Sequence, residues 1–373
     1  MSIFEVQTIG PVHVGSGRFL QNKLEYVFGG QRIGIIDDKK AFDLIGSDRI
    51  GAWVSSIDRG ESLVSFLKNY GIKPKLGQLC SRQIKIQCDI DKAKSMQNLK
   101  ELIHNGQGLP YIPGSTIKGA IRSAVLNHVV REKNRLFDQV ITGGGRPSAK
   151  LLEKELFGSD PNTDLFRFLR IGDAYFEQGS ETAAIFTSLN QKGNPERPKV
   201  AIDQTKNQLV ETIGAGHNTK FKLWFDMVGM QKNIHHRKIN VLQEFWGNPL
   251  ALVKLLNQNT TLILNEEINS WSEFDSDDAM VYKQNIKNLQ EELQQCLPNE
   301  CIIRLAHGAG WTFINGNWIK QEKLVGDEVY EQVLNAARPQ NEARYSEYSF
   351  PKSRRVSNNG ALPGFVRLRL IAD

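Results

Sequence analysis

Ile112-Pro113-Gly114-Ser115-Thr116-Ile117-Lys118-Gly119-Ala120-Ile121-Arg122 is the stretch from which the rest of this chain is best read. The short apolar run before it breaks at Pro113-Gly114, and Ser115 or Thr116 is placed to cap a helix. Apolar residues then recur at Ile117, Ala120, Ile121, Ala124, Val125 and Val129, which is helical spacing. Lys118 and Arg122 stand four apart and share one face of the first turns, where unpaired backbone N–H groups also point. Two hydroxyls and two cations at a helix start suit an anion, most simply a phosphate. The same spacing fits an ordinary capped helix with two solvated charges.

Those eleven residues resemble, in register, the "IPGSSLKGAIR" signature of the RAMP superfamily, the repeat-associated RNA-binding subunits of CRISPR interference complexes. Pro11-Val12-His13-Val14-Gly15-Ser16-Gly17 is similar to the superfamily's "PVHIGSG" opening. Read from the residues, its glycines allow a tight turn while His13, Ser16 and Arg18 offer donors to an RNA backbone; a hairpin turn with a satisfied histidine is the plainer alternative. Phe168-Leu169-Arg170-Ile171-Gly172-Asp173-Ala174-Tyr175-Phe176 reads as a strand and resembles "FLRVSDS", with Gly172 in place of the usual serine. Gly308-x-Gly310-x5-Gly316 has the spacing of the superfamily's glycine loop, and Phe365 to Leu370 resembles its closing "GWVKLRL" run. No helical pattern follows that glycine loop, which separates it from the dinucleotide fingerprint. Trp311 and Phe313 beside it either stack on a base or pack in the core.

The chain has 373 residues, 40% hydrophobic and 24% charged, as expected of a globular protein of two domains. No run is long enough to span a bilayer and no signal peptide opens the chain, so the expected location is cytoplasmic, without membrane contact. Cys80, Cys88, Cys296 and Cys301 lack zinc-knuckle spacing, so reduced structural thiols and no metal are expected. The formal charge of +6, from 47 cations against 41 anions, is a mild excess compatible with a polyanion partner.

Further local patterns fill in the order. Phe4 to Ile9, Arg32 to Ile36, Arg82 to Gln87 and Lys220 to Asp226 read as strands, with Arg82, Lys85 and Gln87 facing RNA or water. Asp37-Asp38 reads as a helix cap; holding a metal or activating a 2′-hydroxyl is the alternative, and no other carboxylate cluster is obviously placed to complete such a site. Ser62 to Tyr70, Gln97 to His104, Leu250 to Leu256 and Met280 to Leu297 read as helical, and 143–148 as a glycine-rich insertion. Asn190 to Asn207 is polar and rich in Lys, Pro and Gly; in the related backbone subunits this place is a protruding thumb, and Lys199 and Lys206 are its candidate backbone contacts. His235-His236-Arg237-Lys238 and the aromatic, basic segment from Ala337 to Arg355, with Tyr345, Tyr348 and Phe350, are either RNA contacts or solvated connectors.

The resemblance implies an α+β fold of tandem ferredoxin-like (RRM-related) domains with antiparallel sheets and inserted loops and helices. The expected division is 1–188 and 189–373, the second half carrying a helical insertion over 240–297. Motif order and length look most like the subunit near the guide-RNA 3′ end of type III-A (Csm) complexes. That implies a non-catalytic role without cofactor, binding crRNA and through it target RNA. Other Csm-type RAMP subunits are the implied partners, with host nucleases recruited for crRNA maturation. The implied RNA-binding residues are His13, Ser16, Arg18, Ser115, Thr116, Lys118, Arg122, Lys199, Lys206, Gly308, Gly310 and Trp311. Two alternatives stay open: a backbone or type III-B end position in the same superfamily, and a guide-processing endoribonuclease using His13, His104 or His128 with a lysine.

Overall fold

The computed structural model describes residues 1–133, 137–232, 245–314, 324–338, 347–358 and 360–373. Its strands in chain order are β1 (Ser2–Thr8), β2 (Gly15–Gln21), β3 (Tyr26–Gly29), β4 (Arg32–Ile36), β5 (Cys80–Ile86), β6 (Asn98–Leu102), β7 (Tyr111–Ile112), β8 (Leu169–Ile171), β9 (Ala174–Tyr175), β10 (Glu181–Lys192), β11 (Lys199–Ile213), β12 (Asn218–Phe225), β13 (Glu300–Arg304), β14 (Ser353–Ser357) and β15 (Phe365–Ala372).

One sheet has the order β13-β15-β1-β12-β8 and is antiparallel throughout. Its central strand, β1, alternates buried Phe4 and Val6 with half-exposed Glu5 and Gln7, as the period of two requires when one face meets a core. The terminal strand β15 pairs with β1, so the two ends of the chain are zipped together. Helices Gly114–Lys133 and Pro249–Ser270 pack against each other and against β8 and β13. On the first, Ile117, Ile121, Ala124, Val125 and Val129 are all buried, as their spacing demands.

The second sheet runs β2-β6-β11-β10-β5-β4-β3, with β14 also paired to β10. It is antiparallel apart from two short parallel pairings, β5 with β10 and β6 with β11. The architecture is thus α+β with largely antiparallel sheets. The expected division between residues 188 and 189 falls inside β10, and both sheets draw strands from either side of it.

Two local readings change, and a third segment takes a definite form. Gln97 to His104, read as helical from Leu99 and Leu102, is strand β6; its parallel partner β11 lies far away in sequence, and no local periodicity reports such pairing. The run from Phe168 to Phe176 is broken at Gly172-Asp173 into β8 and β9. Asn190 to Asn207 is chiefly an ordered hairpin, β10 against β11, whose register slips beyond Phe186 so that Gln204 to Asn207 bulge from the ladder. Asp37 does cap helix Asp38–Ile45, accepting from the Lys40 N–H at 3.0 Å.

Candidate nucleic-acid interface

The start of helix Gly114–Lys133 is built differently from the sequence expectation. Its capping carboxylate is that of Asp173, whose Oδ1 accepts from the Gly114 N–H at 2.8 Å. Neither Ser115 nor Thr116 caps it; Thr116 instead donates its N–H to the Pro113 carbonyl at 2.9 Å. The cause is the tight seat of the helix on the end of β8: a Cβ at Gly114 would lie 2.1 Å from the Ile171 carbonyl oxygen. With an aspartate there, one terminal N–H and part of the helix dipole are already satisfied.

Arg122 is also committed. Its guanidinium donates to Glu153 at 2.9 Å and to both oxygens of Asp164 at 2.8 and 3.0 Å, and lies over the rings of Phe157 and Phe166 at 4.8 and 5.0 Å. Those contacts give it a packing role. Lys118 is half-buried, and burial lowers its pKa, with Asp164 opposing that shift and Arg122 reinforcing it. Ser115 is exposed.

The motifs converge a few ångströms away. A cleft of about 310 Å³ is lined by His13 and Arg18 from the opening motif, Lys100 of β6, Thr116 of the helix, and Ala306 and His307 of the glycine loop. Thr116 and Ala306 also line a second cavity of about 380 Å³, which extends along the helix past Ala120 and Arg122. Glu153 joins that cavity to a third, of about 390 Å³, containing Arg146, Lys150 and Trp311. A groove therefore follows the exposed side of the helix from the opening motif to Trp311, whose ring meets Phe350 edge-on at 5.2 Å.

The cleft is cationic where carboxylates are already used. Glu101 accepts from Ser16 at 2.9 Å and from Arg82 at 3.3 Å, while Glu211 holds Arg82 at 3.0 Å and the Leu102 N–H at 3.0 Å. Arg82 therefore faces neither RNA nor water; it is locked between two acids. Lys100 and Arg355 form no ion pair among the described residues, and each is lowered in pKa mainly by burial, Lys100 further by Arg355. The Arg355 guanidinium donates to the Lys206 carbonyl at 3.2 Å, tying β14 to the bulge of β11. Gly308 holds φ +91°, and a Cβ there would lie 3.0 Å from Arg355 Cγ, so glycine lets the loop and this arginine meet.

His13 is buried, with Nδ1 on the Glu211 carbonyl at 2.7 Å. Burial pushes its pKa down to about 4, and His307, 5.5 Å away edge to face, is likewise lowered to about 4. Sequence reasoning missed His307 and Lys100: the first sat in a motif read for its glycines, the second in a segment read as helix. Arg355 was reached only as part of a basic segment.

The other expected residues are dispersed. Ser16 and Arg18 stand on the rim, Arg18 paired with Glu25 at 3.2 Å. Lys199 is exposed at the start of β11 opposite Lys192, and Lys206 is exposed on the bulge. Gly310 has φ +71° and opens the one-turn helix Gly310–Phe313, a helical turn where none was expected. His104 faces Glu181 and Glu211 at 3.5 and 3.8 Å, and His128 lines a separate groove with Arg131. Gly316, Tyr345 and the cluster His235-His236-Arg237-Lys238 lie outside the described residues. Among the described residues no three His, Cys, Asp or Glu side chains group as metal ligands, and no helix is long and apolar enough to cross a membrane.

The family model of the RAMP superfamily matches residues 5–263, and the chain belongs to that superfamily. It is 24% identical over 182 residues to a CRISPR system Csm5 protein of Streptococcus thermophilus, covering 45% of this chain and 49% of that protein. It is 25% identical over 256 residues to a Csm5 protein of Methanocaldococcus jannaschii, covering 65% and 53%. The matches thus span about half the length of these curated relatives. Among solved structures, a chain of a type III-A Csm–crRNA–target RNA ternary complex shares the fold with a TM-score of 0.74 at 20% identity, covering 100% of both chains. T. onnurineus Csm5 shares it with a TM-score of 0.64 at 16% identity, covering 97% and 99%.

Proposed function

We propose that this chain is an RNA-binding, non-catalytic subunit of a type III-A Csm complex, placed at the end of its filament near the crRNA 3′ end. There it grips guide phosphates, and through the guide meets target RNA. Its other partners are neighbouring RAMP subunits and the host nucleases that trim the guide. The supporting likenesses are the two Csm5 relatives and the fold shared with a chain of a Csm–crRNA–target RNA complex.

The observation that carries the reading is the cleft itself. Three segments remote in sequence, the opening motif, β6 and the glycine loop, meet the organising helix around Lys100, with Arg355 close by; neither cation has a carboxylate partner among the described residues. Desolvated cations on a groove wall favour a polyanion strand read through its backbone. Burial lowers both histidines of the ligand-free cleft to about 4, so near pH 7 neither stands there as the protonated general acid a leaving group needs.

The test is to purify the tagged full chain from its native host. Discrete guide-length RNA and several RAMP subunits co-purifying in fixed ratio support the reading. Recovery of the chain alone, without small RNA, refutes it.

A further inference from the structure

The two cleft histidines are arranged for more than packing. His13 Nδ1 faces a carbonyl oxygen, so that nitrogen carries the hydrogen, and Nε2 keeps its lone pair beside Gly15, 3.0 Å from where a Cβ there would stand. His307 is held by its own N–H on the His13 carbonyl at 3.2 Å, and its ring lies parallel to Phe186 with centroids 6.1 Å apart. Its Nε2 is buried without a hydrogen-bond partner among the described residues, in a cleft that Lys100 also lines and that Arg355 reaches electrostatically. A buried nitrogen without a partner is unfavourable, and a ligand atom that satisfies it recovers that cost.

We propose that this cleft is a seat for one RNA phosphodiester, bounded by Lys100 and the His13–His307 pair with Arg355 close by, and that the pair takes up one proton as the phosphate enters. This rests on the RNA-binding reading above and adds a proton to it. The charged and titratable groups around the pair are Arg18 of β2, Lys100 and Glu101 of β6, and Arg355 of β14. Glu211 of β11 meets His13 through its carbonyl, while its carboxylate is held by Arg82. Among the described residues, the helix contributes Thr116 and β10 the ring of Phe186. Without ligand, burial and the neighbouring cations disfavour a charged imidazole, which is why both histidines are lowered to about 4. A phosphate supplies the missing anion, and rings 5.5 Å apart admit one positive charge more readily than two.

The full chain is titrated with oligouridine lacking terminal phosphates, since uracil and the phosphodiester do not ionise in the relevant range. A charge-assisted contact that raises the bound-state pKa by about two units makes affinity rise about tenfold from pH 7.5 to about pH 5. In the double variant His13→Gln with His307→Gln, whatever its affinity at pH 7.5, that affinity does not rise toward pH 5. Calorimetry of the unaltered chain near pH 5.5, in buffers of different ionisation enthalpy, reads the same event as about 0.7 of a proton taken up per RNA bound. A rise that persists in the double variant, or no proton uptake by the unaltered chain, overturns the proposal. Failure to bind RNA at any pH would instead refute the RNA-binding reading.

Discussion

Arg122→Ala should lower stability before it touches RNA. The side chain is about three-quarters buried, as are its partners Glu153 and Asp164. Partly screened ion pairs of this kind contribute about 0.5–1 kcal/mol each, and the two ring contacts add about 0.5–1 kcal/mol apiece. Asp164 keeps its hydrogen bond to the Phe166 N–H at 2.9 Å, whereas Glu153 is left half-enclosed without this cation, so the total loss is about 3 kcal/mol. At about 2.1 cal/mol/K per residue, a 373-residue chain unfolding as one unit has an unfolding entropy of about 0.8 kcal/mol/K. Calorimetry should therefore show Tm falling by about 4 °C, with Lys118→Ala, which loses no ion pair, staying within about 1 °C. An unchanged Tm in Arg122→Ala would refute the packing role assigned to this arginine and return it to the set of free cations.

Other outcomes follow from particular contacts. Gly114→Ala should cost several kcal/mol and expose the protein to proteolysis, because the new methyl meets the Ile171 carbonyl; wild-type protease resistance would contradict the close seat of the helix. Arg354→Met should cost about 3–5 kcal/mol, since among the described residues it leaves the buried Glu267 carboxylate the Tyr282 hydroxyl at 2.6 Å and the charge of Arg304; denaturant unfolding checks this. Burial alone would raise the Glu267 pKa, but Arg354 and Tyr282 hold it below the ordinary carboxylate value. That stabilisation is present above the unfolded carboxylate pKa and is lost as pH falls through the folded one. Acid unfolding should be less steep in the Arg354→Met variant, and an unchanged acid limb would count against the pair. Gly308→Ala, which strains the loop and crowds Arg355, should weaken RNA binding more than it lowers Tm, as parallel affinity and melting measurements would read.

What the sequence made legible was local. The organising helix shows in its apolar spacing, the Asp37 cap in one residue before a helical run, and strands β1, β4, β12 and β15 in alternation. What stayed hidden was carried by distant partners. Leu99 and Leu102 mimic a helical repeat, yet β6 exists because β2 and β11 flank it, and the misreading removed Lys100 from view. Arg122 reads as a surface charge in its own helix and is pinned only because Glu153 and Asp164 arrive from later segments. His307 has no local signal at all; its neighbours His13, Lys100 and Phe186 come from three other strands or loops.

The central claim, that RNA lies in the cleft, is tested most directly by the salt dependence of guide-length RNA binding in Lys100→Ala with Arg355→Ala. A control pair is Lys92→Ala with Lys94→Ala, on the exposed side of helix Ile90–Ser95. Each single-strand phosphate contact contributes about 0.7 to the slope of log affinity against log salt. The cleft variant should lose about 1.4 from that slope and bind more weakly at physiological salt, with the control pair unchanged. Equal slopes in the unaltered chain and the cleft variant would show that RNA passes elsewhere.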